Sequence, residues 1–422
     1  MRRAWLLAAF AATLCMPAPG RAADSDELGD PLKLEAVIAY ARRHNPEIRA
    51  AGARATAAAA RPSQAGALPD PMVDLAYHDE SFDRLQLGAT EFAYVKVGAS
   101  QELPFPGKLG LKRQVATRDA EQVRAEGHRI EAEVIARIKI AYAEYAHLQE
   151  QLDLLQRNRD LLQKLARGAE ARYAVGEGIQ QDVMKAHVEL SLLVDRETTL
   201  VQRRQSETAE LNALLNRAPE EPLGTAAHPV LRSLTRSLQE LTEAAHQQAP
   251  DLSMSNWRVA GSESSLALAR REYLPDFVVR ADYMYKSALE PEWEVGIGLK
   301  VPLYYASKQR AGVDEAAANL AAAEAERDTM RRSVTYRIKD LYLRAQASER
   351  LIALYQSTVV PQARLALESA TTAYEVGKVD FLTLLNSFTV ILEYEMRYHE
   401  ELANFQKAVA ELEAVVGEPV EG

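Results

Sequence analysis

Four short segments of the chain alternate apolar and polar residues with the two-residue period of a β-strand. The segments lie at about residues 71–79, 91–103, 276–286 and 292–303. In the third segment Val279 and Tyr283 lie on the apolar face, while Arg280 and Asp282 lie on the polar face. Each segment has the length that a tilted strand needs to cross a bilayer. The pattern therefore predicts four membrane strands, each with one face toward lipid and one toward water.

The polar faces of these strands carry the residues that we expect to line a water-filled lumen. This predicted set consists of Asp74, His78, Lys96, Arg280, Asp282, Glu294 and Lys300. Charged side chains on a pore wall either act as a weak electrostatic filter or only hydrate the pore. Both interpretations stay open at this point, and neither requires a catalytic site.

Most of the remaining chain has the pattern of long helices. Two Ala-rich segments with few Gly or Pro run from about residue 107 to 173 and from about 307 to 374. At about 1.5 Å per residue, each predicts a helix roughly 100 Å long. In the first, apolar residues such as Leu148, Leu152 and Leu155 follow alternating steps of four and three, the heptad pattern of coiled coils. Helices and strands together predict a mainly α protein with a membrane β part.

The order of motifs in the first half of the chain recurs in the second half. Matching motifs about 200 residues apart are Asn45-Pro46-Glu47-Ile48 and Ala249-Pro250-Asp251-Leu252, Leu68-Pro69-Asp70 and Leu274-Pro275-Asp276, and Val97-Gly98 and Val295-Gly296. We expect an internal duplication in which each repeat contains a helix, two strands, a long helix and a further helix. The predicted divisions are a signal peptide (1–23), a first repeat (24–216), a linker (217–234), a second repeat (235–417) and a C-terminal tail (418–422).

The N-terminus has the three parts of a secretory signal: Arg2 and Arg3, an apolar run over residues 4–16, and small residues around a cleavage site. Cys15, the only cysteine, lies inside this signal, so the exported chain has no thiol for disulfides or metal binding. Leu14 stands where a lipidation site has a small residue, which disfavours lipidation of Cys15. The formal net charge of −10 becomes more negative when the signal is removed, which argues against nucleic acid as a partner.

The residues that enzymes use are present, but not in catalytic patterns. The eight histidines show no HxxxH or HExxH spacing, which argues for solvated or packing roles and against metal ligation. The chain has no G-x-S-x-G motif around a serine and no Gly-rich phosphate loop. We therefore expect no enzyme, no cofactor and no metal site.

Four strands cannot close a barrel, and an open sheet edge in hydrocarbon leaves backbone groups unpaired. Two chains supply eight strands, which leave too little lumen for transport, whereas three chains supply twelve. The pattern therefore favours a homotrimer inserted in outer-membrane lipid. The alternative that the helical pattern allows is a periplasmic coiled-coil structural or adaptor protein that never enters a membrane.

The ordered set of motifs resembles the TolC family of outer-membrane efflux channels. The segments that follow the strands have the sequences QELPFPGK at 101–108 and KVPLYYASK at 300–308, and the helix turns have YAVG at 173–176 and YEVG at 374–377. The resemblance covers essentially the whole mature chain. The LPFPGK segment is most similar to the heavy-metal branch of the family, the CusC and CzcC type.

The resemblance implies a homotrimer with a twelve-stranded β-barrel in the outer membrane of a Gram-negative bacterium. A long α-helical coiled-coil barrel continues this channel into the periplasm. The implied partners are a periplasmic adaptor protein and an inner-membrane pump of the RND type, and the chain is their passive exit duct. Because the pump sets specificity, metal ions, drugs and exported proteins all stay open as cargo.

In the family, the turns at the periplasmic tip form the closed gate and contact the adaptor. The matching positions here are Val175, Gly176, Asp182, Val376, Gly377, Asp380, Thr383 and Asn386. Thr383 and Asn386 stand where well-known members carry aspartates, and Val379 stands at a gate-locking basic position. The acidic ring is therefore absent or displaced to Asp380, which does not support a cation-binding gate.

Overall fold

The structure is a computed structural model that describes residues 28–79, 92–227, 233–287 and 289–420. The predicted signal peptide with Cys15 lies outside these residues, as do residues 228–232 of the predicted linker and 421–422 of the predicted tail. The described elements are α1 (Leu34–His44), α2 (Pro46–Ala65), β1 (Met72–His78), β2 (Tyr94–Leu103), α3 (Lys108–Ala174), α4 (Gln180–Leu214), α5 (Leu238–Gln248), α6 (Pro250–Arg271), β3 (Asp276–Tyr285), β4 (Glu292–Lys300), α7 (Lys308–Leu354), α8 (Val360–Glu375) and α9 (Phe381–Val416).

The two halves of the chain have the same order of elements, which confirms the duplication. The order in the first half is α1, α2, β1, β2, α3 and α4. The matching order in the second half is α5, α6, β3, β4, α7 with α8, and α9. Within the described residues, no helix combines the length and the apolar character that crossing a membrane requires.

A proline divides the first helical segment of each half, where the sequence analysis predicted one helix. Pro46 is the first residue of α2, and Pro250 is the first residue of α6. The preceding residues, Asn45 and Ala249, have ψ angles of 126° and 125°, outside the helical range. Proline disfavours helical backbone in the residue before it and is accepted at the first position of a helix. Each half therefore begins with two helices, and the prediction of one was wrong.

The second long helix, predicted over residues 307–374, is also interrupted. A π-helical turn, Tyr355–Val359, separates α7 from α8. Pro361 lies in the first turn of α8 and has no backbone N–H to donate to the preceding turn. The wider π turn accommodates that missing hydrogen bond without ending the helical path. α3, by contrast, is helical over all of its 67 residues.

The four strands form one antiparallel sheet in the order β1-β2-β3-β4. Their register places Leu75 opposite Val97, Val97 opposite Tyr283, and Tyr283 opposite Trp293. Directly opposed residues share a face, so the alternating apolar residues of all four strands form one surface. This surface is open to the surroundings, with Leu75 76% exposed and Ile297 77% exposed. Among the described residues, β1 and β4 each pair with a neighbour on one side only.

The helices share buried cores that run along their length. α3 packs against α2, α4, α6 and α9, and α7 packs against α6 and α9. One cluster of buried side chains surrounds Phe381, a second surrounds Ile338 and Phe405, and a third surrounds Tyr40 and Ile138. α2 and α4 have α3 as their main neighbour, so they lie at one edge of the helical layer, and α7 lies at the other.

Asn45 joins three helices, and its replacement gives a test of the fold. Its Oδ1 accepts hydrogen bonds from the N–H groups of Glu47 and Ile48, and its Nδ2 donates to the buried Leu214 carbonyl at 2.8 Å. We expect Asn45→Ala to cost about 2 to 4 kcal/mol, since a cap contributes about 1 and a buried carbonyl left unpaired costs about 1–3. Calorimetry of the detergent-solubilised protein should show a Tm several degrees lower.

The control is Thr56→Ala, which removes an exposed hydroxyl from the middle of α2. An equal fall of Tm in both variants would contradict the role given to Asn45.

Candidate functional site

Two turns between helices, here called the tip turns, occupy the same place in the two halves. The first joins α3 to α4 over residues 175–179, and the second joins α8 to α9 over residues 376–380. Each contains a glycine in the left-handed backbone region, Gly176 at φ 80° and Gly377 at φ 73°. Glycine adopts this conformation without a Cβ clash, so it ends a helix and reverses the chain within a few residues.

Arg172, in the last turn of α3, links the two tip turns. Its Nη1 donates a hydrogen bond to the Tyr374 carbonyl at 2.7 Å, and its guanidinium lies 5.1 Å from the centre of the Tyr374 ring. The same ring packs edge-on against Phe381 of α9 at 5.6 Å. A hydrogen bond from a charged donor and a cation–π contact therefore hold the end of α3 against the end of α8.

Arg172 is absent from the predicted gate residues, although the sequence contains a sign of it. The matched motifs begin at Tyr173 and Tyr374, and the residues before them are Arg172 and Ala373. The two repeats thus differ at the position that supplies the link. The basic side chain that joins the turns comes from this position and not from residue 379, where Val379 packs against the buried cluster around Phe381.

Asp182, in the first turn of α4, and Asp380, the last residue of the second tip turn, are both acidic but differ in environment. Asp380 is the N-cap of α9 and accepts a hydrogen bond from the Thr383 N–H at 2.8 Å. Hydrogen bonds from Thr383 lower the pKa of Asp380. Burial, and then the charge of Asp380, raises the pKa of Asp182. Asp380, to which the acidic ring was predicted to be displaced, thus stabilises the fold, because its carboxylate caps α9.

The other predicted tip residues lie at or near the surface of the same region. Val175 and Val376 are exposed beside the two glycines, and Thr383 and Asn386 are exposed on the first turns of α9. The structure thus brings the whole predicted set to the two tip turns and the helix starts that follow them. A role in gating or adaptor docking stays a prediction for these residues.

The seven predicted lumen residues all lie on the polar face of the sheet. The register places Asp74, Asp282 and Glu294 in one row across the strands, with Gly98 between the two aspartates. The remaining members, which have the same parity along their strands, are His78, Lys96, Arg280 and Lys300.

Several of these charges are paired within the chain. The Lys96 Nζ lies 3.1 Å from the Asp282 carboxylate, and Asp282 is only 3% exposed. Arg280 lies 3.9 Å from the same carboxylate. Lys300 reaches Glu102 on β2 at 3.1 Å, and both side chains are accessible. The predicted pore wall is therefore a network of ion pairs, with Asp282 sheltered inside it and not freely hydrated.

A second polar cluster lies inside the helical part, between α3 and α9. Glu144 of α3 forms an ion pair with Lys407 of α9. Burial lowers the pKa of nearby His147 to about 4, and the charges of Lys407 and His399 act in the same direction against that of Glu144. Across the residues that the structure describes, no group of three or more His, Cys, Asp or Glu side chains is arranged to hold a metal ion.

His147 gives stability a specific dependence on pH. Its folded pKa of about 4 lies below the ordinary value of 6.5, so between these values the unfolded chain binds a proton that the folded chain excludes. Stability should therefore fall as the pH drops from 6.5 toward 4, and His147→Gln should remove that part of the fall. The measurement is Tm at about pH 7.5 and about pH 5 in wild type and variant.

The exposed His128→Gln variant is the control. If it changes the pH dependence as much as His147→Gln does, burial of His147 is not the cause.

A family model described as "Outer membrane efflux protein" matches residues 37–217 and 241–418, one match in each half. The cobalt-zinc-cadmium resistance protein CzcC of Cupriavidus metallidurans is 22% identical over 392 residues, covering 93% of this chain and 91% of that protein. The outer membrane protein VceC of Vibrio cholerae has a TM-score of 0.77 at 20% identity, over 92% of this chain and 97% of its own.

The structure of CusC has a TM-score of 0.79 at 15% identity, over 93% of each chain. These similarities confirm the fold, with four strands and long helices in each chain, and they remove the alternative of a coiled-coil adaptor. Because the family model spans both repeats from α1 to the end of α9, the chain belongs to the outer membrane efflux protein family and is an efflux channel of the outer membrane.

Proposed function

We propose that three copies of this chain close into one duct, a twelve-stranded barrel continued by a helical barrel in the periplasm. The observation that carries this proposal is the four-stranded sheet with an exposed apolar face, in which β1 and β4 lack a second neighbour among the described residues. Lipid supplies no hydrogen bonds to such edges, so a sheet in the membrane must close on itself. Three sheets supply twelve strands, enough to enclose a lumen.

Exposed apolar side chains on the edge helices support the same assembly. On α4, Met184, Val188 and Leu192 are exposed at intervals of four, which places them on one side of the helix. On α8, at a similar distance from the tip turns, Leu365 is 65% exposed. α4 and α8 lie on opposite sides of α3 and α9, so a ring of copies brings α4 of one chain against α8 of the next and covers both surfaces.

The duct is passive, and its energy comes from partners. The tip turns dock a periplasmic adaptor, and an inner-membrane pump of the RND type delivers the cargo. Val175 and Val376 are exposed at the turns, which supports docking of a partner there. The sequence contains no Gly-rich phosphate loop, which supports an energy source outside this chain. Heavy-metal cations are the cargo that the similarity to CzcC favours, since that relative is named for cobalt, zinc and cadmium resistance.

Opening at the tip requires the ends of α3 and α8 to separate, and Arg172 holds them together. Arg172→Ala removes the hydrogen bond and the contact with the Tyr374 ring, so the closed tip loses its link. We expect a several-fold rise in mean single-channel conductance in planar lipid bilayers. Arg167→Ala, which removes an exposed arginine from the same helix, should leave conductance unchanged. Unchanged conductance in Arg172→Ala would contradict a gate at these turns.

The lipid-facing assignment of the sheet is tested by Ile297→Lys. Ile297 is 77% exposed on the apolar face, and a lysine near the bilayer midplane of a barrel costs about 2 to 4 kcal/mol. We expect fractionated cells to contain much less of this variant as heat-resistant oligomer in the outer membrane. Arg280→Gln changes the polar face and leaves Asp282 paired with Lys96, so it should insert normally. Equal losses in both variants would contradict the assignment, and a wild-type chain released as a monomer by osmotic shock would contradict the channel.

A further inference from the structure

The junction between the strands and helices of the two halves is built around a buried lysine. Lys108, the first residue of α3, is 2% exposed. Its Nζ donates to Asp276 Oδ1 and to the Leu274 carbonyl, both at 2.9 Å. Asp276 Oδ1 also accepts from the Phe105 N–H at 2.7 Å. The end of β2 in the first repeat is thereby fastened to the Leu-Pro-Asp motif that begins β3 in the second.

The duplication supplies the same parts a second time, at opposite edges of the chain. Lys308 is the first residue of α7, as Lys108 is of α3, and Leu68-Pro69-Asp70 precedes β1 as its counterpart precedes β3. Lys308 lies at the β4 and α7 edge, and Asp70 lies at the β1 and α2 edge. Both side chains are exposed, and neither has an oppositely charged partner among the described residues.

A second ion pair shows that the repeats correspond in space as well as in sequence. Arg137 of α3 lies 2.6 Å from Glu47 of α2. Arg337 of α7 lies 3.4 Å from Asp251 of α6. Arg137 and Arg337 are 200 positions apart, as Lys108 and Lys308 are, and Glu47 and Asp251 stand at the same place in the matched motifs. Contacts made by one repeat therefore predict contacts of the other.

We infer that Lys308 of one copy forms an ion pair with Asp70 of the next copy and also bonds to its Leu68 carbonyl. This inference rests on the proposed trimer and names the contact that closes it. The neighbouring copy places its β1 beside β4, as β3 lies beside β2 within the chain. In the assembly Lys308 is then buried and Asp70 half-buried, as Lys108 and Asp276 are in the single chain.

The same correspondence sets the register of the strands across the copies. Within the chain, Lys96 of β2 faces Met284 of β3. The matching positions are Glu294 in β4 and His78 in β1, so these two residues face each other. Both lie on the polar face, and an acidic group opposite a histidine is a compatible cross-strand pair.

The apolar face is continuous in this register. Ala99 faces Ala281 within the chain, and the matching positions are Ile297 in β4 and Leu75 in β1. These two are among the most exposed apolar residues of the sheet, at 77% and 76%. The register therefore carries the lipid-facing surface across the boundary between copies, and a shift by one residue would oppose apolar to polar faces.

Cysteine pairs test the register directly, because the only native cysteine is Cys15 in the predicted signal. Outer membranes carrying His78→Cys with Glu294→Cys are treated with an aqueous oxidant and run on a non-reducing gel. We expect linked dimers and trimers, since directly opposed strand residues lie within reach of a disulfide. The matched control, His78→Cys with Gly296→Cys, is displaced by two residues and should stay largely unlinked.

A charge exchange tests the ion pair. We expect Lys308→Asp and Asp70→Lys each to lower the temperature at which the trimer dissociates in SDS by several degrees. The double variant should recover at least half of that loss, which a merely structural role of either residue would not produce. Lys112→Asp, at an exposed lysine of α3, is the control.

The outcomes separate this inference from the proposed function. Linked copies and rescue by the double variant support the inference. If the wild-type protein is a trimer but the displaced cysteine pair links instead, the inference is overturned. The inference is also overturned if the wild-type protein is a trimer but the double charge variant shows no rescue. Either result leaves the trimeric duct standing. A wild-type protein that forms no trimer overturns both. If the single charge variants fail to fold, the cysteine pairs alone decide the register.

Discussion

Unpaired backbone groups at a sheet edge are the constraint on which this architecture depends. In hydrocarbon no water replaces a missing hydrogen bond, so every strand must have a neighbour on both sides. A single chain has four strands, and β1 and β4 each have one open side among the described residues. The edge helices carry exposed apolar residues in the same arrangement, on α4 at one side and α8 at the other. The sheet and the helical layer therefore both have an uncovered edge on each side, and one ring of copies covers the edges of both.

The duplication explains how copies of one chain close into a ring with few kinds of contact. The join between the first and second repeat uses β2 beside β3 and α3 beside α6. A further copy makes the same join between its first repeat and the second repeat of its neighbour. Lys108 and its partners show the chemistry of that join inside the chain. Repeats that fit one another head to tail close into a ring when the rotation between them allows it.

The sequence predicts the strands, their faces and the duplication because these depend on local periodicity. A period of two is recognisable in ten residues, and the structure places the apolar residues of all four strands on one surface. The divisions at Pro46 and Pro250 are also local, because proline restricts the residue before it, and that rule predicts both of them. Val360, the residue before Pro361, stays helical, so the π turn there follows from the N–H that Pro361 lacks.

The remaining features depend on partners that are distant in sequence. Arg172 meets Tyr374 across 202 positions, and the difference between Arg172 and Ala373 in the two repeats marks the position but not its partner. Asp282 is sheltered because Lys96 of another strand reaches it. The lowered pKa of His147 follows from burial between helices. Such environments arise only when helices and strands pack, so periodicity identifies the face of a residue but not its partner.

The central claim is that one chain is a third of a closed channel. Native mass spectrometry of the particle extracted from outer membranes in detergent measures this directly, because it counts the chains. We expect the mass of three mature chains, with no populated single chain at working concentrations. A stable particle with the mass of one chain, extracted intact from the membrane, would contradict the account.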